Sequence, residues 1–130
     1  MKHKIWFVLL VCILFINGLR GDEADHKTIL LTGGAGYIGS HLAVVLLQNG
    51  YHVIIVDNLS NSEYSVLEGI EAASHRTVTA FYQCDLAAQD RLRNIFEEHK
   101  IDAVVHLAGY KAVGESVENP LVYYRNNLLS

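Results

Sequence analysis

Four glycines within seven residues constrain this chain more than any other feature. Gly33, Gly34, Gly36 and Gly39 fall in the stretch Thr28–His41, TILLTGGAGYIGSH, and satisfy both G-x-x-G-x-x-G and G-x-G-x-x-G. The apolar run Ile29-Leu30-Leu31 before them has the length of a short buried strand. After them Leu42, Val45 and Leu46 follow a helical spacing, with Gly50 placed as a stop. Strand, glycine turn and helix together make a phosphate cradle. Glycine lets the backbone turn tightly and approach a pyrophosphate, and the helix N-terminus offers unpaired N–H groups with a partial positive charge. A glycine triplet alone also marks ordinary turns. What identifies a dinucleotide site is a strand before it, a helix after it and an acid about 20 residues on. The next apolar run, Tyr51–Val56, ends in Asp57, eighteen positions beyond Gly39.

The N-terminus has a different character. Two lysines and a histidine lie within Met1–Lys4, Ile5–Ile16 carries no polar side chain apart from the Cys12 thiol, and Asn17–Lys27 is polar and charged. That layout reads as a secretory signal peptide or signal-anchor-like leader with a polar linker, residues 1–27, or else as a translated extension that does not belong to the folded protein. The apolar stretch is shorter than the roughly 20 residues of a membrane span. Any membrane contact is expected through this leader alone, which is set apart from the fold. From Thr28 the pattern is regular. Strands are expected at Thr28–Leu31, His52–Val56, Val78–Gln83 and Ala103–Leu107. The predicted helices are Tyr37 to Asn49, Glu63 to Ala73 capped by Ser62, and Gln89 to His99. A last one opens at Asn119-Pro120. Val66, Leu67 and Ile70 are expected to face inward from the second helix, and Leu92, Ile95 and Phe96 from the third. The alternation implies an α/β fold with right-handed crossovers: a Rossmann-type doubly wound parallel sheet, incomplete at about four strands where six are usual.

In such sheets ligands bind beyond the carboxyl ends of the strands. Each predicted strand here ends in a distinctive group: the glycine loop, Asp57, Asp85, and Ala108-Gly109 with Lys111 two positions on. Asp57 is placed to accept hydrogen bonds from both hydroxyls of an adenosine ribose. A 2′-phosphate there would be repelled, and Asn58 rather than an arginine follows, which favours NAD over NADP. His106, inside an apolar strand, reads as a packed core histidine and His41 as a surface residue. Glu115, Ser116 and Lys111 are expected on a loop able to reach a substrate. A net charge of −4 with a pI near 5.9 argues against a nucleic-acid partner. Cys12 and Cys84 are the only cysteines, and the histidines lack ligand spacing, so neither a disulfide framework nor a metal site is expected.

The segments TGGAGYIGSH, VDNLSNS and HLAGYKAVGESVENPLVYYRNN, in that order and spacing, resemble the UDP-glucose 4-epimerases of the extended short-chain dehydrogenase/reductase group. The likeness runs from Thr28 to Ser130. KAVGES with the following Pro-Leu-x-Tyr-Tyr is its most specific part. The resemblance implies NAD contacts at Gly33, Gly36, Tyr37, Ile38 and Gly39 in the glycine loop. Around the adenosine ribose it implies Asp57, Asn58, Leu59, Ser60, Asn61 and Ser62, and beside the adenine Asp85 and Leu86. Leu107, Ala108, Gly109, Tyr110 and Lys111 would line the nicotinamide side, with Asn126 reaching in from the last helix. The activity it implies is reversible oxidation at carbon 4 of a UDP-hexose (UDP-glucose or UDP-galactose) through a 4-keto intermediate, in a family that is typically homodimeric and cytoplasmic. The catalytic base of that family is the tyrosine of a Tyr-x-x-x-Lys pair, activated by the lysine. Here the chain departs from the pattern: none of the seven tyrosines has a lysine four residues on. Residues 28–130 are therefore expected to be an NAD-binding Rossmann domain truncated at its C-terminus, with no catalytic residue of its own. Two other readings stay open: a further UDP-sugar epimerase or decarboxylase of the secretory pathway, and a non-catalytic NAD-binding module.

Overall fold

The computed structural model describes residues 27–129, so the N-terminal leader, all but its last residue Lys27, lies outside them. Four parallel strands form one sheet in the order β3-β2-β1-β4: β1 (Thr28–Thr32), β2 (His52–Asp57), β3 (Ala80–Gln83) and β4 (Ala103–His106). Register runs Thr28 to His52 and Ile29 to Ala103 on the two sides of β1. Between the strands lie α1 (Tyr37–Gln48), α2 (Ser65–Ser74) and α3 (Gln89–Glu98), and after β4 come α4 (Val113–Glu118) and α5 (Pro120–Leu129). The direction of strand addition reverses between β1 and β4. This is the Rossmann-type doubly wound arrangement, and its switch point is where a crevice opens.

Period-two alternation divides the core between the two sheet faces. Ile29, Leu31, Val53 and Ile55 pack with Ala43, Leu46 and Leu47 of α1 and with Leu67 and Ile70 of α2. Leu30, Ile54 and Val56 pack on the opposite face with Leu86 and with Leu92 and Ile95 of α3. Leu30, Leu31, Ile54 and Ile55 are fully buried, and each such side chain contributes about 1.5–3 kcal/mol of transfer free energy. That is why β1 and β2 read as unbroken apolar runs: central parallel strands are covered on both sides.

Several local expectations are corrected by packing. On α1 the buried stripe is Gly39, Ala43, Leu46 and Leu47, while Val45 is 36% exposed. The small residues Gly39 and Ala43 are what let the helix approach the sheet. Helix α2 begins two residues later than expected, with Tyr64 rather than Ser62 at its N-cap. Its C-cap, His75, takes the left-handed conformation (φ 56°) where glycine is usual. Strand β3 starts at Ala80, because the Val78 N–H donates to Glu71 Oε1 at 3.0 Å before the ladder begins. On α3, Phe96 is 47% exposed; a helix lying on a sheet buries one stripe, and the helical turn carries Phe96 to its flank. His106 is not a core residue. It is exposed on β4, which is an edge strand among the described residues, and its Nδ1 lies 2.7 Å from Thr32 Oγ1. The segment holding Glu115 and Ser116 is helix α4, not a loop. No helix among the described residues is long and apolar enough to cross a membrane.

Candidate functional site: a cleft at the strand ends

The carboxyl ends of all four strands open onto one cleft of about 200 Å³. Its floor is the glycine turn. Gly33 adopts φ 67°, and a Cβ there would lie 2.6 Å from the Ala108 main-chain nitrogen, so the β1 exit and the β4 exit touch backbone to backbone. Gly33 N–H also donates to Val56 O at 2.8 Å, tying the turn to the end of β2. A Cβ on Gly39 would run into Gly33 O and come within 2.7 Å of Gly34 Cα, so the first turn of α1 sits directly against the loop. The N-cap is Gly36, with no side-chain cap and no acid in the first turn. The opening N–H groups of α1 therefore keep their capacity and partial positive charge for an anion.

Asp57 ends β2 and organises the opposite wall. One carboxylate oxygen accepts from Ala35 N–H at 3.0 Å. The other accepts from Leu59 N–H at 2.9 Å and from Ser62 Oγ at 3.1 Å. This is where the predicted helix cap went: Ser62 donates to Asp57 instead of closing α2. Leu59 sits at φ 58°, a left-handed conformation that costs an ordinary residue roughly 1–2 kcal/mol. Three acceptor positions of the carboxylate are filled, and about four exist in all. The remaining capacity suits a hydroxyl. Asn58 Oδ1 accepts from Ser60 N–H at 3.0 Å, and Asp85 Oδ1 from Ala87 N–H at 2.9 Å, so both following loops are built as side-chain-closed turns.

The β4 side is closed by α5. Tyr110 N–H donates to Asn127 Oδ1 at 2.8 Å, and Asn127 Nδ2 donates back to Tyr110 O at 3.1 Å. Tyr123 is buried edge-on against Tyr110, 5.5 Å between ring centroids, and its hydroxyl donates to Glu115 Oε2 at 2.7 Å. Loss of solvation and that bond to Glu115 raise the Tyr123 pKa above the ordinary phenol value. Glu115 is thus a strut between α4 and α5, and Ser116 Oγ donates to Val113 O at 2.6 Å within its own helix.

Most of the residues expected at a cofactor site meet in this cleft. Gly33, Gly36 and Tyr37 line it from the first strand end; Asp57, Asn58, Ser60, Asn61 and Ser62 from the second; Asp85 and Leu86 from the third. Leu107, Ala108, Gly109 and Tyr110 come from the fourth, and Asn126 from α5. Four expected residues stand outside the lining. Ile38 is 63% exposed beside it, Gly39 lies beneath the turn, Leu59 is the strained pivot of its loop, and Lys111 is exposed. The Lys111 amino group folds back over Gly109, 3.0 Å from where a Cβ would be. Val56 and Cys84 also line the cleft, unanticipated from sequence. Both immediately precede a strand-end aspartate, and that position is the signal by which they were discoverable. No lysine or arginine is among the lining residues, so the positive potential there comes from main-chain N–H groups and the α1 dipole.

Comparisons with known proteins agree with this geometry. Residues 30–130 match the family model described as GDP-mannose 4,6 dehydratase. UDP-glucose 4-epimerase 2 of Arabidopsis thaliana is 50% identical over 105 residues, 79% of this chain and 30% of that protein. The crystal structure of the Bifidobacterium longum UDP-glucose 4-epimerase in complex with NAD+ and UDP superposes with a TM-score of 0.77 at 46% identity, over 79% of this chain and 30% of that one. The Stenotrophomonas maltophila UDP-glucose-4-epimerase, with bound NAD and formylated UDP-arabinopyranose, gives a TM-score of 0.76 at 48% identity over the same shares. The chain spans about 30% of the length of these relatives, and in them the matching part is the N-terminal, NAD-binding one.

Proposed function

This chain belongs to the GDP-mannose 4,6-dehydratase family, and from that membership we propose that residues 28–130 are the NAD-binding domain of a UDP-glucose/UDP-galactose 4-epimerase. The observation that carries the proposal is the convergence of two devices on one cleft. The glycine turn leaves an uncapped helix N-terminus, and Asp57 stands across from it with acceptor capacity to spare.

The residues present fit a dinucleotide. The turn is a cradle that a Cβ on Gly33 or Gly39 would fill. In this reading Gly33, Gly36, Tyr37, Ile38 and Gly39 offer backbone and helix-end charge to the pyrophosphate. Asp57 accepts from one hydroxyl of the ribose diol, with Asn58 to Ser62 around it; Asp85 and Leu86 flank the base. Leu107 to Lys111 and Asn126 border the nicotinamide half. When bound, NAD supplies a hydride acceptor and donor for the sugar carbon. Asp57 selects NAD over NADP because a 2′-phosphate would meet its carboxylate at close range. The 130 residues include no tyrosine followed by lysine four positions later, so by themselves they are expected to hold the cofactor without interconverting UDP-sugars. A non-catalytic NAD-binding module would share the same cleft.

Calorimetric titration of the full chain tests the reading. NAD should bind and NADP should bind far more weakly. Asp57→Ala should lose several-fold or more in NAD affinity. Absence of NAD uptake, or an unchanged affinity in Asp57→Ala, would sink the assignment.

A further inference from the structure

We infer that Asn127 is a positioning residue for the cofactor cleft, acting through Asn126 and the main chain of Tyr110. The inference rests on the reading of the cleft as a dinucleotide site. Asn127 lies on α5, is exposed, and does not line the cleft. Its side-chain amide nevertheless makes three bonds, all to cleft residues. Oδ1 accepts from Tyr110 N–H at 2.8 Å and from Asn126 Nδ2 at 3.0 Å, and Nδ2 donates to Tyr110 O at 3.1 Å. An amide that both accepts from and donates to one residue's backbone imitates a strand neighbour. It holds the loop after β4 against α5 where no ladder continues. Both lone pairs of Oδ1 are then occupied. The orientation of the Asn126 amide follows from this, since one of its N–H groups is directed to Asn127 and its carbonyl oxygen has no partner among the described residues.

Space explains why the contact can form. A Cβ on Gly109 would lie 3.3 Å from Asn127 Oδ1 and 3.0 Å from Lys111 Nζ, tighter than most Cβ contacts, so the bare backbone leaves the amide room. Asn127 therefore bonds Tyr110, lies beside Gly109, and offers an acceptor to Asn126, which lines the cleft.

The test is a double-mutant cycle on the full chain, read by NAD titration and by amide hydrogen exchange. Asn127→Leu keeps the side-chain size and favours the helix while removing all three bonds. It should weaken NAD about tenfold, the scale of one or two net hydrogen bonds. In an Asn126→Ala background the same change should cost only about threefold, because one of the two groups it holds is gone and the Tyr110 main chain remains. Exchange at the Tyr110 amide should quicken in Asn127→Leu and stay unchanged in Asn126→Ala. Asn127→Ala serves as a second variant should the leucine disturb α5, and retained protection of β1 and β2 amides reports that either variant is folded. Equal losses of affinity in both backgrounds, no loss in either, or unaltered Tyr110 exchange would each overturn the role. If the parent chain takes up no NAD, the cofactor reading fails by itself, and Tyr110 exchange still decides whether Asn127 holds the loop.

Discussion

Gly33 and Asp57 act at the same junction by opposite means, one through the absence of a side chain and the other through a charged one. Gly33→Ala would place a methyl group 2.6 Å from the Ala108 nitrogen in a left-handed backbone. The conformational cost alone is about 1–2 kcal/mol. Because the obstacle is backbone, the clash has nowhere to relax, and a total loss of about 2–4 kcal/mol is expected by urea unfolding. Asp57→Ala removes three hydrogen bonds to a charged acceptor at once. It should lower stability as well as NAD affinity, by about 2 kcal/mol in the same assay. A further residue-scale prediction concerns pH. Tyr82 Oη donates to Glu98 Oε2 at 2.7 Å and lies 2.6 Å from His99 Nε2. The bond to Glu98, then burial, raises its pKa above the ordinary phenol value. A phenol whose pKa is raised by folding favours the folded state below its unfolded pKa, and that contribution disappears as pH climbs through the folded one. Unfolding midpoints should therefore fall from about pH 10 upward. Tyr82→Phe should flatten part of that decline while leaving the slope at neutral pH alone.

At the scale of elements, the helices differ in what their sequences left to be decided. Helix α1 is tied to the loop by glycines that cannot be exchanged. Helix α2, by contrast, carries Gly69 at an exposed position with open space within 4 Å of where a Cβ would be. Glycine there lowers helix stability without serving the loop or the cleft. Gly69→Ala should stabilise the chain by about 0.8–1 kcal/mol, measurable as a higher denaturant midpoint with an unchanged slope. Strands β1 and β2 were legible because a continuous β-branched and leucine run between turn residues has one reading in an α/β pattern. Boundaries were less so. Ser62 carries the residue type of a helix cap, yet its hydroxyl found a carboxylate from β2 first. The stretch with Glu115 and Ser116 lacked a helical stripe because α4 buries none of its residues; what holds it is the Tyr123 hydroxyl from the next helix.

For the molecule as a whole, the sheet order places the best-covered core on the same strands that carry the glycine turn and Asp57. β1 and β2 have neighbours on both sides and helices on both faces, whereas β3 and β4 are edges among the described residues. Exposed apolar side chains gather on and beyond β4: Val104 at 48%, Val113 at 79%, Leu121 at 81% and Leu128 at 71%. Native-state hydrogen exchange should show a gradient to match, slowest for Ile29–Leu31 and Val53–Val56 and fastest for β4 and α4–α5. Uniform protection would contradict this distribution of the core. NAD at a hundredfold excess over its dissociation constant should add about 2.7 kcal/mol to unfolding. Its protection should concentrate at the strand ends.

By itself the sequence determined the alternation of strands and helices, the glycine turn and the aspartates that close the strands. Each is written in spacing along the chain, a period of two, a period of 3.6 or a glycine where only glycine fits. The parallel sheet and the end of it on which the cleft opens follow from those periods. Only the tertiary structure decided that His106 stands exposed on an edge, that Ser62 serves Asp57, and that Asn127 holds Tyr110. Those outcomes depend on partners 17 to 74 residues away along the chain, or on strands that do or do not lie alongside, except for Ser62, five residues from its partner. A hydrogen-bonding side chain advertises its type in the sequence, but which of several reachable partners it takes is settled by distance in space.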